Sequence, residues 1–132
     1  MDRAPEANSG FGLRRIGQIG VNVRDLDRAV AFYRGNLGLH LLFRTPALAF
    51  FDCTGVRLML SLPERVTFDH PSSILYFTVD DLPMAYRTLT ARGVIFIDEP
   101  HLIAQMPDHE LWMAFFNDTE GNTLALMSEV RE

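Results

Sequence analysis

The sequence predicts an α+β fold made of two tandem βαβββ units, each with a helix on one face of a mostly antiparallel sheet. The main observation is an internal repeat, because residues 19–26 (IGVNVRDL) return as residues 75–82 (LYFTVDDL). The ends of the two halves match as well, since residues 50–60 correspond to residues 115–126 and each of these segments turns at a glycine. Each half is therefore predicted to form one supersecondary unit whose apolar face it cannot bury alone.

The first half shows the pattern of each element in order. Apolar residues alternate over 18–23, which is typical of a half-buried strand. Asp25 is a candidate helix N-cap, and apolar residues follow it at helical spacing until Gly38, where a glycine can end the helix. Three further strands are predicted over residues 39–44, 48–52 and 56–62. Thr54 and Gly55 form the predicted turn between the last two.

The second half repeats this order after a linker over residues 63–73. A helix is predicted over 81–91, opening at Asp81 and ending near Gly93. The predicted strands cover residues 74–79, 94–98, 111–116 and 122–127. The last two of these strands are joined by a turn at Gly121.

Size and composition describe one globular domain. The chain has 132 residues, of which 48% are apolar and 22% charged, enough for a single core. We predict one domain over 15–130, with repeats over 15–62 and 71–128, after a flexible N-terminal extension over 1–14. A net charge of −5 argues against a nucleic-acid partner, because phosphate binding needs a basic surface.

Cysteine content and hydropathy bear on the compartment. Cys53 is the single cysteine, so no disulfide can form within the chain and a reducing compartment is expected. No apolar run approaches the roughly 18 residues of a membrane span, and the N-terminus has no signal-peptide core. The sequence therefore predicts a cytoplasmic protein that does not contact membranes.

The duplicated βαβββ unit, with Asp-Leu opening each helix and a glycine-turned hairpin closing each unit, resembles the vicinal oxygen chelate superfamily. This is the group of the glyoxalases, bleomycin-resistance proteins and extradiol dioxygenases. The resemblance covers residues 15–130. It implies that the paired sheets curl into a cup that holds a ligand, and that this cup can close within one chain or by pairing with a second chain, commonly as a homodimer. We expect a homodimer. Exposed sheet edges also favour such pairing.

The resemblance further implies up to four metal-ligand positions, filled in the family's enzymes by His, Glu or Gln. In this sequence those positions hold Gln18, Met59, Ile74 and Ala125. Isoleucine and alanine cannot bind a divalent ion, and a thioether suits Cu(I) rather than an oxygen-loving ion. The sequence therefore predicts the family's fold without its metal, and no cofactor, with a bound divalent metal as the alternative.

Strand alternation predicts which side chains would line the cup. They are Gln18, Asn22, Arg57, Met59, Ser61, Tyr76, Thr78, Thr123, Ala125 and Met127. Gly20 would leave room among them. Apolar walls with a few polar groups suit an organic ligand, although Met59 and Ala125 could instead fill a core and Arg57 could point into solvent.

About ten extra residues distinguish the second unit, and they are predicted to form a long connection over 99–110. This segment and the strand after it carry candidate catalytic residues, since a carboxylate can orient a histidine for acid–base chemistry or help to bind a metal. The candidates are His101, Asp108, His109, Glu110 and, for ligand stacking, Trp112. The alternative is a solvated loop anchored by the burial of Trp112.

Three functions follow from these observations. The first is a small-molecule-binding protein of the family that has lost the usual metal ligands and binds an organic ligand in the cup. The second is a glyoxalase-like lyase, isomerase or dioxygenase that uses Gln18 with His101 and His109, for metal binding or acid–base catalysis. The third is a module that pairs with another protein and has no ligand.

Overall fold

The computed structural model describes residues 10–63 and 69–131, and its first unit is a four-stranded sheet covered by a helix. Its elements are β1 (Gln18–Asn22), α1 (Leu26–Ala31), β2 (His40–Arg44), β3 (Leu48–Cys53) and β4 (Val56–Ser61). The strand order is β1-β4-β3-β2, with β1 parallel to β4 and the other pairs antiparallel.

The second unit repeats this topology. Its elements are β5 (Leu75–Thr78), α2 (Leu82–Ala91), β6 (His101–Gln105), β7 (Glu110–Asn117) and β8 (Thr123–Val130). The strand order is β5-β8-β7-β6, and β5 is the strand that runs parallel to its neighbour. The repeated topology confirms the predicted α+β fold class. None of the helices in the described ranges is long and apolar enough to cross a membrane.

Local sequence signals set the ends of the helices and the hairpin turn as predicted. The Asp25 carboxylate accepts a hydrogen bond from the Arg28 backbone N–H, and Asp81 caps α2 in the same way. Thr54 and Gly55 have φ values of 47° and 91°. Two successive positive φ angles are what a tight two-residue hairpin requires, because they match the twist of the flanking strands.

The first helix differs from the prediction in its second half. After Ala31 it continues not as an α-helix but as a π-helical turn over Phe32–Asn36, in which the Leu37 N–H donates to the Phe32 carbonyl. Tyr33 in this turn is fully buried, and its hydroxyl donates to Asp118 at 2.7 Å. That partner is 85 residues away, so no local pattern could indicate it.

The prediction of a strand over 94–98 is wrong, and so is the prediction of a loop over 99–110. Residues 94–98 make only one isolated bridge, between Phe96 and Phe116, whereas β6 forms inside the segment predicted as a loop. The reason is the length of β7, which spans eight residues. Its first half pairs with β6, and its second half receives the bridge from Phe96.

Each sheet has a face against its helix and a face without one. Alternate residues of β1, β3 and β4 pack on α1, and those of β5, β7 and β8 pack with α2, in one apolar cluster. Its fully or almost fully buried strand members include Val21, Phe51, Leu58, Leu60, Phe116 and Leu124. We call the opposite sides the first open face, on β1–β4, and the second open face, on β5–β8.

A buried carboxylate joins the two units. The Glu120 side chain, in the turn between β7 and β8, has no exposed surface and accepts hydrogen bonds from the backbone N–H groups of Arg24 and Asp25 at 2.8 and 2.9 Å. Arg28 adds two more bonds, at 2.7 and 3.0 Å. Burial alone would raise the pKa of Glu120, but these donors and the Thr119 hydroxyl lower it from 4.5 to about 2.

Neutralising this carboxylate should destabilise the fold in a pH-dependent way. We expect Glu120→Gln to lower the free energy of unfolding at pH 7 by about 2–4 kcal/mol, since it leaves buried donors and the Arg28 charge poorly paired. Because the pKa is lower in the folded chain, the stabilisation is present above pH 4.5 and is lost as the pH falls towards 2. Urea unfolding of the wild type and of Glu120→Gln at a series of pH values measures the difference in the free energy of unfolding.

Asp27→Asn is the matched control, because Asp27 also pairs with an arginine, Arg44, but is 87% exposed. Its expected effect is below about 0.5 kcal/mol at every pH. Equal stability of the wild type and Glu120→Gln at pH 7, or a difference that does not shrink below pH 4.5, would contradict the role given to Glu120.

Candidate ligand-binding site

The first open face brings together the side chains that strand alternation predicts there. In the parallel β1–β4 pair, Gln18 lies opposite Arg57 and Asn22 opposite Ser61. Met59 occupies the position between these two pairs. Asn22 is partly used by the linker, because its side-chain amide donates to the His70 carbonyl at 3.0 Å.

A short hydrogen bond holds the Arg57 guanidinium on this face. The Arg57 Nε–H donates to Gln18 Oε1 at 2.8 Å, and the Gln18 amide nitrogen contacts the Met59 sulfur at 3.6 Å. The guanidinium carbon lies 5.3 Å from the centroid of the Phe50 ring, within cation–π range. Arg57 therefore lies across the first open face, where it remains exposed to solvent.

Two aromatic residues of this face were missed by the sequence analysis. Phe50 and Phe43 stack with their ring centroids 4.7 Å apart and their planes at 26°. They belong to β3 and β2, and the prediction considered only the first and last strands of each unit. Alternation could have found Phe50, because its neighbours Ala49 and Phe51 are both fully buried on the helix side.

Gly20 does not leave the space that the sequence suggested. A Cβ atom built on Gly20 would lie 3.5 Å from the terminal methyl of Met59. Met59 therefore extends over the glycine, and the room is taken by a side chain of the protein. The missing side chain makes a place for Met59, which forms part of the floor of the first open face.

The second open face also carries two aromatic rings, and it is closed where a metal ligand would be expected. Ala125 is fully buried, and its neighbours across the strands are Tyr76 and Phe115. Their rings meet edge to face, with centroids 6.0 Å apart. Thr78 and Met127 are paired in register on the same face. Thr123, at the start of β8, donates a hydrogen bond from its hydroxyl to the Asn117 side-chain oxygen at 3.3 Å.

The residues at the four metal-ligand positions do not fit a divalent metal. The Gln18 oxygen already accepts from a permanently charged guanidinium. Ala125 lies between two aromatic neighbours, and Ile74 and Met59 supply no hard donor. Within the described ranges, no group of three or more His, Cys, Asp or Glu side chains is placed to hold a metal ion.

The candidate catalytic residues of the second unit are brought together only in part, because Asp108, His109 and Glu110 line one pocket and His101 is not among its lining residues. His101 lies opposite Met113, and its ring Nδ1–H donates to the Glu99 carbonyl at 2.9 Å, whereas Glu110 lies at the other end of the β6–β7 pairing. Those two positions are three residues apart along β7, about 10 Å. His109 contacts Asp108 at 2.7 Å, and this hydrogen bond lowers the pKa of Asp108. A joint acid–base role for His101, His109 and Glu110 is therefore not supported by the geometry.

Trp112 lies on the helix side of the second sheet, not on an open face. It is opposite Ser128 in the register, and Ser128 is buried with the core residues of that side. Its indole N–H donates to Glu110 at 3.0 Å. Side chains alternate along β7, so Trp112 points to the opposite face from Met113 and Phe115. It therefore cannot stack on a ligand bound at the second open face.

Comparison with known proteins agrees with this geometry. The family model for the glyoxalase/bleomycin resistance protein/dioxygenase superfamily matches residues 15–126. Among curated proteins, metallothiol transferase FosB from Lysinibacillus sphaericus (strain C3-41) is 24% identical over 115 residues, covering 83% of this chain and 79% of that protein.

Solved structures give the same result for the fold. A superfamily member from Sphaerobacter thermophilus DSM 20745 has a TM-score of 0.72 and 24% identity, covering 89% of this chain and 98% of that one. A lactoylglutathione lyase from Agrobacterium tumefaciens has a TM-score of 0.70 and 21% identity, covering 89% and 95%. The match over residues 15–126 includes both βαβββ units, and the chain belongs to the glyoxalase/bleomycin resistance protein/dioxygenase superfamily.

Proposed function

We propose that this protein binds an organic molecule on its first open face and works without a resident metal. The bond between Arg57 and Gln18 carries this proposal. Gln18 supplies the one hard ligand oxygen among the four family positions, and the guanidinium that donates to it holds a permanent positive charge. A divalent cation at the same oxygen would face strong repulsion at a separation of a few ångströms.

The same side chains indicate the chemistry of the ligand. Within the described ranges, Gln18 is the only hydrogen-bonding partner of the Arg57 guanidinium. Asp52 is its cross-strand neighbour but forms no ion pair with it, so the terminal N–H groups are available. A guanidinium fork suits a carboxylate or another planar acceptor. Phe43 and Phe50 offer stacked apolar surface beside it, and Phe43 is 54% exposed. The preferred ligand is therefore a flat organic molecule with an anionic group.

The named activities of the relatives are not carried over to this chain. FosB is named a metallothiol transferase and the Agrobacterium tumefaciens protein a lactoylglutathione lyase, at 24% and 21% identity. The donor set at Gln18, Met59, Ile74 and Ala125 argues against a metal-dependent reaction here. His101 lies at the far end of the β6–β7 pairing from Glu110 and its chain neighbour His109, which argues against the three acting together in catalysis.

Metal content tests the first part of the proposal. We expect the purified protein, loaded with Mn²⁺ or Zn²⁺ and then dialysed, to retain close to zero divalent ions per chain. We also expect no rise in its melting temperature when either ion is added, because an ion that does not bind the folded state cannot stabilise it. Elemental analysis and thermal denaturation measure both quantities. A ratio near one ion per chain with a higher melting temperature would overturn the metal-free function.

Ligand charge tests the second part. We expect 2-naphthoate to bind the wild type at least about tenfold more tightly than its neutral analogue 2-naphthalenemethanol does, and Arg57→Gln to weaken naphthoate binding by about tenfold or more. Isothermal titration calorimetry measures each affinity. Arg44→Gln is the matched control, because Arg44 pairs with Asp27 and is in register with the buried Ala49 of the helix side. Naphthoate binding that survives Arg57→Gln would contradict the assignment.

A further inference from the structure

A pocket lies on the helix side of the second sheet, opposite the second open face, between the start of α2 and the strands β7 and β8. Its volume is about 580 Å³, within the usual range for small-molecule sites. Trp112 and Ser128 reach it from the strands, and Asp80 and Asp81 reach it from the residues before α2. It therefore shares no side chain with the first open face.

The wall of this pocket is acidic. Asp80, Asp81 and Glu110 line it, and the described lining residues include no lysine, arginine or histidine. Asp81 is engaged in capping α2, where it accepts from the Met84 N–H at 3.0 Å. Asp80 has no hydrogen bond or ion pair to any residue in the described ranges. Three carboxylates around one cavity favour a positively charged occupant.

An aromatic ring is fixed within the same wall. The Glu110 carboxylate accepts from the Trp112 indole N–H at 3.0 Å, which orients the ring beside a negative charge. Pro83 and Pro100 add apolar surface. A tryptophan face next to carboxylates is the arrangement that binds ammonium ions through cation–π attraction together with ion pairing.

Ser128 supplies an independent sign that a ligand belongs here. Its side chain is 1% exposed and lines the pocket, yet its hydroxyl has no hydrogen-bonding partner among residues 10–63 and 69–131. A buried hydroxyl without a partner is costly, because it has lost water and gained nothing in exchange. A group that enters the pocket with an N–H or hydroxyl would satisfy it.

We propose that this pocket is a second binding site, for a small organic ammonium ion with an apolar body and an N–H or hydroxyl group. Asp80 and Glu110 would balance its charge, Trp112 would contact its cation, and Ser128 would accept or donate the buried hydrogen bond. The site is separate from the first open face and does not depend on the function proposed for that face.

Trp112 makes the proposal directly measurable, because it is the single tryptophan of the chain. We expect titration with phenethylammonium at pH 7.5 to change the tryptophan fluorescence in a saturable way. The neutral analogue 2-phenylethanol should bind at least about tenfold more weakly, since it keeps the ring and the chain length but loses the charge. Added salt should weaken binding of the ammonium ion, because exposed charges are screened.

Variants locate the site. Glu110→Gln and, separately, Asp80→Asn should each weaken phenethylammonium binding by about threefold to tenfold. Asp80→Asn removes no hydrogen bond between described residues, so it tests the charge even if Glu110→Gln alters folding. Glu129→Gln is the matched control, because Glu129 lies on the opposite face of β8 and pairs with Arg131. Arg57→Gln should also leave this binding unchanged.

Two outcomes would overturn the second site. One is equal binding of phenethylammonium and 2-phenylethanol, which would mean that the pocket binds ligands through apolar contacts alone. The other is a fluorescence response that neither Asp80→Asn nor Glu110→Gln alters. Loss of naphthoate binding in Arg57→Gln with retained phenethylammonium binding would separate this site from the first open face.

Discussion

The docking of the β7–β8 turn onto the first unit is the interaction on which the rest of the structure depends. Glu120 is completely buried there and accepts bonds from two backbone N–H groups before α1 and from Arg28. Asp118 in the same turn accepts a hydrogen bond from the hydroxyl of the buried Tyr33. A buried carboxylate is tolerable only when its donors surround it, so this turn specifies one relative placement of the two units.

The first open face combines the strand pairing of the fold with side chains particular to this chain. The register that brings Gln18 beside Arg57 comes from the parallel pairing of β1 with β4. At this position the glutamine oxygen meets a guanidinium, and the arginine in turn lies over Phe50. The face therefore places a guanidinium beside stacked rings, and the proposed preference for an anionic organic molecule rests on this arrangement.

The two proposed sites have opposite charge preferences because they lie on different sides of different sheets. One uses Arg57 on the first open face, and the other uses carboxylates on the helix side of the second sheet. The second arises where α2 begins, since the capping aspartate that starts the helix also places its neighbour Asp80 at the pocket. A local helix signal thus contributes to a binding surface.

The sequence by itself determined the duplicated topology, the caps at Asp25 and Asp81, and the faces on which Gln18, Arg57 and Met59 lie. These features follow from local periodicity and turn chemistry, which neighbouring residues specify. Only the tertiary structure decided that β6 forms at His101–Gln105, that Trp112 faces α2, and that Glu120 is buried. Those outcomes depend on partners up to 96 residues away along the chain, and such contacts leave no periodic trace in the sequence.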